Sequence, residues 1–191
     1  MLDPQDLPGR YGRVVSSIDH LLGTLECPAV LAGGLAVWRH GYYGRMTQDL
    51  DVVLPADRIE EFLIASSMCG FQVLTPPKGR WPKLVHKETG IQVVILPEGE
   101  RPGTAKRLAP TTIPHPLSIG ASGATLRYVP LLPLIELKLA AGRGRDEADV
   151  IELLRVNEDQ TESIRRYLES IHVDYLQKFE QLMERAHEEN G

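Results

Sequence analysis

Features typical of a zinc protein, a membrane protein or a secreted protein are missing from this 191-residue sequence. Its two cysteines, Cys27 and Cys69, do not have metal-site spacing, so we do not expect bound zinc. Both flank apolar runs and are predicted to be small buried side chains. No apolar run is long enough to span a bilayer, and no basic region followed by an apolar one indicates a secretory signal. A cytoplasmic setting is therefore expected.

An excess of positive charge is also missing, since 21 Lys and Arg stand against 26 Asp and Glu, a net charge of −5. This balance argues against a large electrostatic footprint for nucleic acid but allows a local basic groove. One candidate is Lys78, Arg80, Lys83 and Lys87 with Trp81, which would suit an RNA end or form a solvated hairpin face. The six histidines lack ligand spacing, and none is assigned a catalytic role.

The remaining composition, 42% apolar and 25% charged, is ordinary for a globular protein. Hydrophobic periodicity predicts an α/β (α+β) fold, a mixed sheet flanked by helices with a C-terminal helical segment. Residues 1–130 would form the core, and residues 131–191 would pack on it as helices in a single compact unit. The predicted strands cover residues 29–32, 50–54, 71–74, 83–86, 91–96 and 124–129. A Pro-, Gly- and Ser-rich stretch over 97–123 is expected to be a long loop with at most one short strand.

Two carboxylates, Asp49 and Asp51, open the β-branched run that ends at Leu54. Residues two apart in a strand share a face, and carboxylates this close repel unless a cation lies between them. Mg²⁺ is held by one or two carboxylates and completed by substrate phosphates, so the pair predicts metal-dependent chemistry on a phosphate-bearing substrate. The alternative is an edge-strand solubility device or simple turn chemistry.

Upstream of the acidic pair, Gly33 and Gly34 follow a short buried strand and precede a short helix that Gly41 ends. Paired glycines permit a tight turn and a close backbone approach, and a helix N-terminus offers unpaired N–H groups to phosphate. The alternative is a sharp strand-to-helix turn without a ligand. A phosphate-binding turn followed by a carboxylate pair on an adjacent strand is a more specific signal than either feature alone.

A helix predicted over Leu131–Ala141 is apolar at nearly every position except Glu136 and Lys138. A helix that is apolar almost all round is buried, so at least one of these charges should face an interior or a cleft. A buried lysine needs a carboxylate or a phosphate as its partner. The alternative is that Lys138 extends to solvent.

Next along the chain, Arg143 and Arg145 are predicted to lie in a glycine-flexible link between two helices. Arginine binds phosphate through two parallel hydrogen bonds. Asp146 fits the N-cap of the following helix, with Asp149 three residues later, where it could anchor either arginine.

These residues together resemble the nucleotidyltransferase fold of the DNA polymerase β superfamily. Within it they are similar to the bacterial AbiEii-like branch, which includes abortive-infection and toxin nucleotidyltransferases. The resemblance covers residues 28–156. Its motifs are Gly33-Gly34, His40-Gly41, Arg45-x-Thr47-x-Asp49-Leu-Asp51, Leu137-Lys138, and Arg143-x-Arg145-Asp146-x-x-Asp149-Val150.

The resemblance implies a reaction in which a nucleoside monophosphate passes from a nucleoside triphosphate to a hydroxyl, with loss of pyrophosphate. Gly33 and Gly34 would hold the triphosphate, and Asp49 and Asp51 would be the catalytic acids that bind Mg²⁺. Further nucleotide-binding residues would be Arg45, Thr47, Lys138 and Arg143. The acceptor would be a protein, an RNA such as tRNA, or a small molecule, and the branch also suggests an antitoxin-type partner.

One departure from the family pattern concerns a third acid on a later strand. That strand matches residues 90–96, and no aspartate stands near Val94. Gln92 lies on the same face and offers a neutral oxygen, but it cannot act as a base. Loop residues Glu88, Glu98 or Glu100 could substitute. The alternative function is a catalytically degenerate protein of the same fold that binds a nucleotide or a partner without turnover.

Overall fold

The computed structural model describes residues 3–74, 81–104 and 107–188, which form two compact units. The first unit comprises Met1–Ala36, Met46–Glu100 and Ile113–Val129, and the second comprises Val37–Arg45, Arg101–Thr112 and Pro130–Gly191. The predicted boundary at residue 130 and the packing of the C-terminal segment on the core stay predictions. Within the described ranges, no helix combines the length and apolar character needed to cross a membrane.

Helices and strands alternate over residues 9–74, strands without an intervening α-helix follow over 83–128, and helices follow from residue 131. The strands are β1 (Val30–Ala32), β2 (Asp49–Leu54), β3 (Phe71–Leu74), β4 (Lys83–His86), β5 (Gln92–Pro97), β6 (Gly103–Thr104), β7 (Arg107–Leu108) and β8 (Arg127–Tyr128). The helices are α1 (Gly9–Leu25), α2 (Gly33–Arg39), α3 (Ile59–Ser66), α4 (Leu131–Ala141), α5 (Gly144–Val156), α6 (Thr161–Ile171) and α7 (Val173–Glu188).

The first unit is built on a six-stranded mixed sheet in the order β3-β4-β5-β2-β1-β8. β2 lies inside the sheet, antiparallel to β1 and parallel to β5, and β1 pairs in parallel with β8. The second half of β2 is covered on both faces, since the consecutive residues Val52, Val53 and Leu54 are fully buried, and such a segment is apolar throughout. The predicted mixed sheet with helices and a C-terminal helical segment is confirmed.

In the same unit, α1 and α3 contact each other, and α3 also contacts β3. α1 buries Val14, Ile18 and Leu22, which recur at helical spacing. A short 3₁₀ turn, Ser67–Cys69, extends α3, and Gly70 ends it in the left-handed conformation with φ 83°.

The second unit contains α4 to α7 and the small β6–β7 sheet. α4 contacts α5, α6 and α7, and α7 contacts both α5 and α6. This central place explains why α4 is apolar on nearly all sides. The prediction of one short strand at most within 97–123 is wrong, because β6 and β7 form a two-stranded hairpin there.

Candidate functional site

The acidic pair lies at the start of β2. Asp49 and Asp51 are half-buried, whereas Leu50 and Val52 between and after them are buried. This alternation puts both carboxylates on one face of the sheet, as expected from their spacing.

The backbone of Gly33 lies directly against Asp51. Ala32 pairs with Asp51 across the antiparallel β1–β2 ladder, so the residue after Ala32 comes close to this carboxylate. A Cβ added to Gly33 would stand 1.8 Å from Asp51 Oδ2 and 2.7 Å from its Cγ. Gly33 also has φ 63°, a left-handed value that favours glycine. Two independent constraints therefore require glycine here.

Contrary to the prediction, the two glycines do not form a separate turn before the helix. α2 begins at Gly33 itself, so Gly34 lies within the first turn and is buried. The turn and the helix start coincide because the left-handed Gly33 redirects the chain in a single residue.

Thr47 shapes the backbone that enters β2. Its side chain is buried, and its hydroxyl donates to the carbonyl of Asp49 at 3.1 Å. Its own carbonyl accepts a hydrogen bond from the Tyr11 hydroxyl at 2.7 Å. This role of Tyr11 could not be predicted from the sequence, because its partner is a backbone atom 36 residues away. Direct contact of Thr47 with a nucleotide stays a prediction.

β5, the strand that carries the third acid in the family pattern, is the direct neighbour of β2. In the parallel ladder, Gln92 is the register partner of Asp49, and Val94 is the register partner of Asp51. Paired residues in a sheet project to the same face. The positions beside the two carboxylates therefore carry a neutral amide and an apolar side chain.

Two of the three glutamates considered as substitutes have other partners. Glu98 follows β5 in the chain and lies beside the C-terminal end of β2, where its backbone N–H donates to Leu54 O at 3.0 Å. Its carboxylate accepts a hydrogen bond from the backbone N–H of Ala56 at 3.3 Å. Glu88 pairs with Arg13 at 3.3 Å on the surface.

The donor set fits a magnesium ion that is bound together with phosphates. The described residues contain no group of three or more His, Cys, Asp or Glu side chains arranged to hold a metal. Two carboxylates on one face nevertheless match Mg²⁺, which commonly takes one or two protein carboxylates and completes its shell with water and substrate phosphates. Asp49 and Asp51 are the residues that would hold it.

In the second unit, Lys138 is buried, with 5% of its surface exposed. Its Nζ donates to Asp146 Oδ1 at 3.1 Å and to Asp149 Oδ2 at 2.7 Å. The alternative that this lysine extends to solvent is therefore wrong. Glu136 is buried too, and the Tyr167 hydroxyl donates to its Oε2 at 2.5 Å. Burial is the main cause that raises the pKa of Glu136, and this hydrogen bond partly opposes it.

Two arginines complete what we call the cation network, formed by Arg45, Lys138, Arg143, Asp146 and Asp149. Arg45 Nη1 donates to Asp149 Oδ2 at 2.6 Å. Arg143 binds Asp146 through Nε at 2.5 Å and Nη2 at 3.2 Å. Among the described contacts, three cations thus bind two carboxylates.

Asp146 does not have the predicted N-cap role. α5 begins at Gly144 and the cap position is Arg143, so Asp146 is the third residue of the helix. Its side chain is fully buried among cations, which outweighs the local preference of aspartate for a cap. Burial by itself raises the pKa of Asp146, but the Arg143 hydrogen bonds and the Lys138 charge outweigh it and hold the pKa below its ordinary value.

The partners predicted for Asp149 are also wrong. It binds Arg45 and Lys138, whereas Arg143 binds Asp146 and Arg145 is exposed on α5. Trp38, which the sequence did not single out, donates from Nε1 to the carbonyl of Arg45 at 2.7 Å and fixes that loop.

The structure brings together Gly33, Asp49 and Asp51 in the first unit. It brings together Arg45, Lys138 and Arg143 through shared carboxylates in the second unit. The basic patch that would suit an RNA end is described only in part, because Lys78 and Arg80 lie outside the described residues.

No protein-family model matches the sequence, and no curated protein matches it. The chain is similar to two solved structures of ANT(2'')-Ia. One is a crystal structure in complex with adenylyl-2''-tobramycin, at 16% identity and a TM-score of 0.46, with 93% of this chain and 97% of that chain covered. The other is a solution structure of this antibiotic-resistance factor, at 15% identity and a TM-score of 0.48, with 92% of each chain covered. Likenesses at this level carry no weight for the function.

Proposed function

We propose that this chain is a magnesium-dependent nucleotidyltransferase that moves a nucleoside monophosphate from a nucleoside triphosphate to a hydroxyl acceptor. The observation that carries the proposal is the contact between the Asp51 carboxylate and the Gly33 backbone, with Asp49 on the same face. At the start of this helix, the Asp51 carboxylate fills the space that a side chain at position 33 would need. This arrangement is unusual for a solubility device or a turn. It suits a site that brings a cation and a phosphate close to the backbone.

In this proposal Asp49 and Asp51 hold the cation, and Gly33 and Gly34 let the triphosphate approach the main chain. The bound Mg²⁺ would supply charge neutralisation for the triphosphate and for the departing pyrophosphate. Arg45, Lys138 and Arg143, which bind the carboxylates of the cation network, are the further nucleotide-binding residues of this proposal. Thr47 fixes the backbone that leads into the acidic pair.

The finer assignment to the AbiEii-like branch rests on the Lys138-to-Asp149 motif and is part of this proposal. A cytoplasmic location, a protein or RNA acceptor, and an antitoxin-type partner also belong to this proposal.

A second function is favoured by the register of β5. Because Gln92 and Val94 stand beside Asp49 and Asp51, neither neighbouring position can accept the proton of an attacking hydroxyl. A protein with this arrangement would bind the magnesium nucleotide and would not turn it over.

Calorimetry with Mg²⁺ and each of the four ribonucleoside triphosphates tests the binding that both functions share. We expect Asp49→Asn and Asp51→Asn each to weaken binding by about tenfold or more, because each removes a negative charge from the cation site while keeping the side-chain shape. The matched control is Asp57→Asn, an exposed aspartate in the 3₁₀ turn Ala56–Arg58, which should bind like the wild type. If the wild type binds no nucleotide, both functions are rejected.

Incubation with α-labelled nucleotide then separates the two functions. Transfer of label to the protein itself, to a tRNA pool or to a small hydroxyl compound, lost in Asp51→Asn, supports the transferase. Binding without any labelled product supports the degenerate protein.

A further inference from the structure

An open groove of about 500 Å³ lies in the first unit, between α3 and the end of β5. Its apolar lining consists of Ala56, Ile59, Leu63, Ile64 and Pro97. Ile64 is 69% exposed, although isoleucine is among the residues most often buried. Ile59 and Leu63 beside it are half-buried, so the groove presents a contiguous apolar surface, the kind that marks an interaction site.

The charged residues of this groove all have the same sign. Its remaining lining residues are Glu60, Glu98 and Glu100, and no lysine or arginine of the described ranges lines it. The hydrogen bond from the Ala56 backbone holds the Glu98 carboxylate in place at 3.3 Å. An apolar floor with an acidic rim complements a segment that combines apolar and basic side chains.

The groove is separate from the acidic pair. β2 runs from Asp49 to Leu54, and Glu98 binds the backbone just beyond Leu54. Asp51 is three residues before Leu54, about 10 Å along the strand at the usual rise per residue. The groove therefore lies toward the opposite end of β2 from the carboxylates of the proposed nucleotide site.

We propose that this groove binds a basic, apolar peptide segment of a partner protein. Nucleic acid and anionic lipid are disfavoured because their phosphates would meet the three glutamates. A second copy of this chain, with a net charge of −5, offers less electrostatic attraction than a basic partner. The inference does not depend on nucleotide binding.

Selection from a random peptide display library on the immobilised full chain tests the proposal without a known partner. We expect enriched peptides that contain at least two Lys or Arg residues beside apolar ones. Their binding should weaken as salt rises, because rim charges are screened. Fluorescence polarisation of the selected peptides then gives affinities for the wild type and the variants.

Two groove variants are designed to keep the fold, since both side chains are exposed: Ile64→Asp and Glu60→Lys. Each should weaken the selected peptides by about tenfold or more. The matched controls are Leu117→Asp, at another apolar side chain that is 57% exposed, and Glu169→Lys, which makes the same charge change on α6. Both controls should bind like the wild type.

Three results would overturn the proposal. The first is enrichment of acidic or purely apolar peptides, and the second is binding that the groove variants do not change. The third is concentration-dependent dimerisation in analytical ultracentrifugation that Ile64→Asp abolishes, since this would assign the groove to a second copy of the chain.

Discussion

The molecule contains two pairs of closely spaced aspartates in very different surroundings. Asp49 and Asp51 stand two residues apart on a strand, half-buried, with a glycine backbone against one carboxylate. Asp146 and Asp149 stand three residues apart on a helix, buried, with Lys138 between them and an arginine on each. Carboxylate spacing alone therefore does not identify a metal site, because the helical pair receives its cations from the same chain.

The strongest way to test this comparison is to remove the cation between the helical pair. Lys138→Met should lower the free energy of unfolding by about 3 kcal/mol, because two buried carboxylates lose the charge they share. Each carboxylate keeps one arginine, which places the effect at the low end for a buried ion pair. Urea denaturation gives the measurement.

The control for this prediction is Lys178→Met, whose side chain is 23% exposed and pairs with Glu147 at 2.8 Å. It should cost about 1 kcal/mol or less, because Glu147 keeps Arg185 and solvent screens the pair. Equal losses in the two variants would contradict a special role for the buried lysine.

The strand pair is tested through its glycine. Gly33→Ala should cost about 2–3 kcal/mol, because the new methyl group meets the Asp51 carboxylate and the backbone remains left-handed. Gly123→Ala is the matched control, since Gly123 has φ 64° and no atom within 4 Å of an added Cβ. It should cost only about 1 kcal/mol, the strain of the left-handed conformation.

A double variant sharpens this test. Adding Asp51→Ala to Gly33→Ala removes the carboxylate that the methyl group meets, so the two changes should cost less together than the sum of their separate effects. Additive losses would show that the contact has no energetic weight.

The smallest expected effect concerns acid. The pKa of Asp146 is lowered in the folded protein, despite its burial, because Arg143 and Lys138 stabilise the charged form. Its contribution to stability is therefore complete above the ordinary aspartate pKa of about 3.9 and is lost as the pH falls through the lower folded value.

Unfolding free energies of the wild type and Asp146→Asn, measured from pH 7 to pH 3, test this point. The variant should be less stable at neutral pH, and the difference should narrow below about pH 4. A constant difference over the whole range would contradict the assigned cause.

The sequence predicts the strand pair better than the helical one, for a physical reason. The common face of Asp49 and Asp51 follows from the period of a strand, which is local information. The partner of Asp149 is Arg45, 104 residues away, and no local pattern contains that pairing. Asp146 was assigned to a cap because capping preferences are local, whereas its burial depends on two other side chains.

The same distinction applies to the fold. α4 was predicted with its observed bounds because an almost wholly apolar helix has one interpretation. The β6–β7 hairpin was missed because each strand has two residues, too few for a period to appear. The contact between Gly33 and Asp51 was predictable only in part. The sequence indicated that the glycines and the acidic pair lie on adjacent strands, but only the observed pairing of Ala32 with Asp51 shows which carboxylate contacts Gly33.

The chain passes back and forth between the two compact units, and this limits how the protein can be divided. A fragment that stops at Val129 would keep Val37–Arg45 and Arg101–Thr112 but lose Pro130–Gly191, the remaining segment of the same unit. His40, for example, would lose the Asn157 side chain that donates to its carbonyl at 2.9 Å, and Arg45 would lose Asp149. Crystallography and partner mapping should therefore use the whole chain and not a fragment that begins or ends at residue 130.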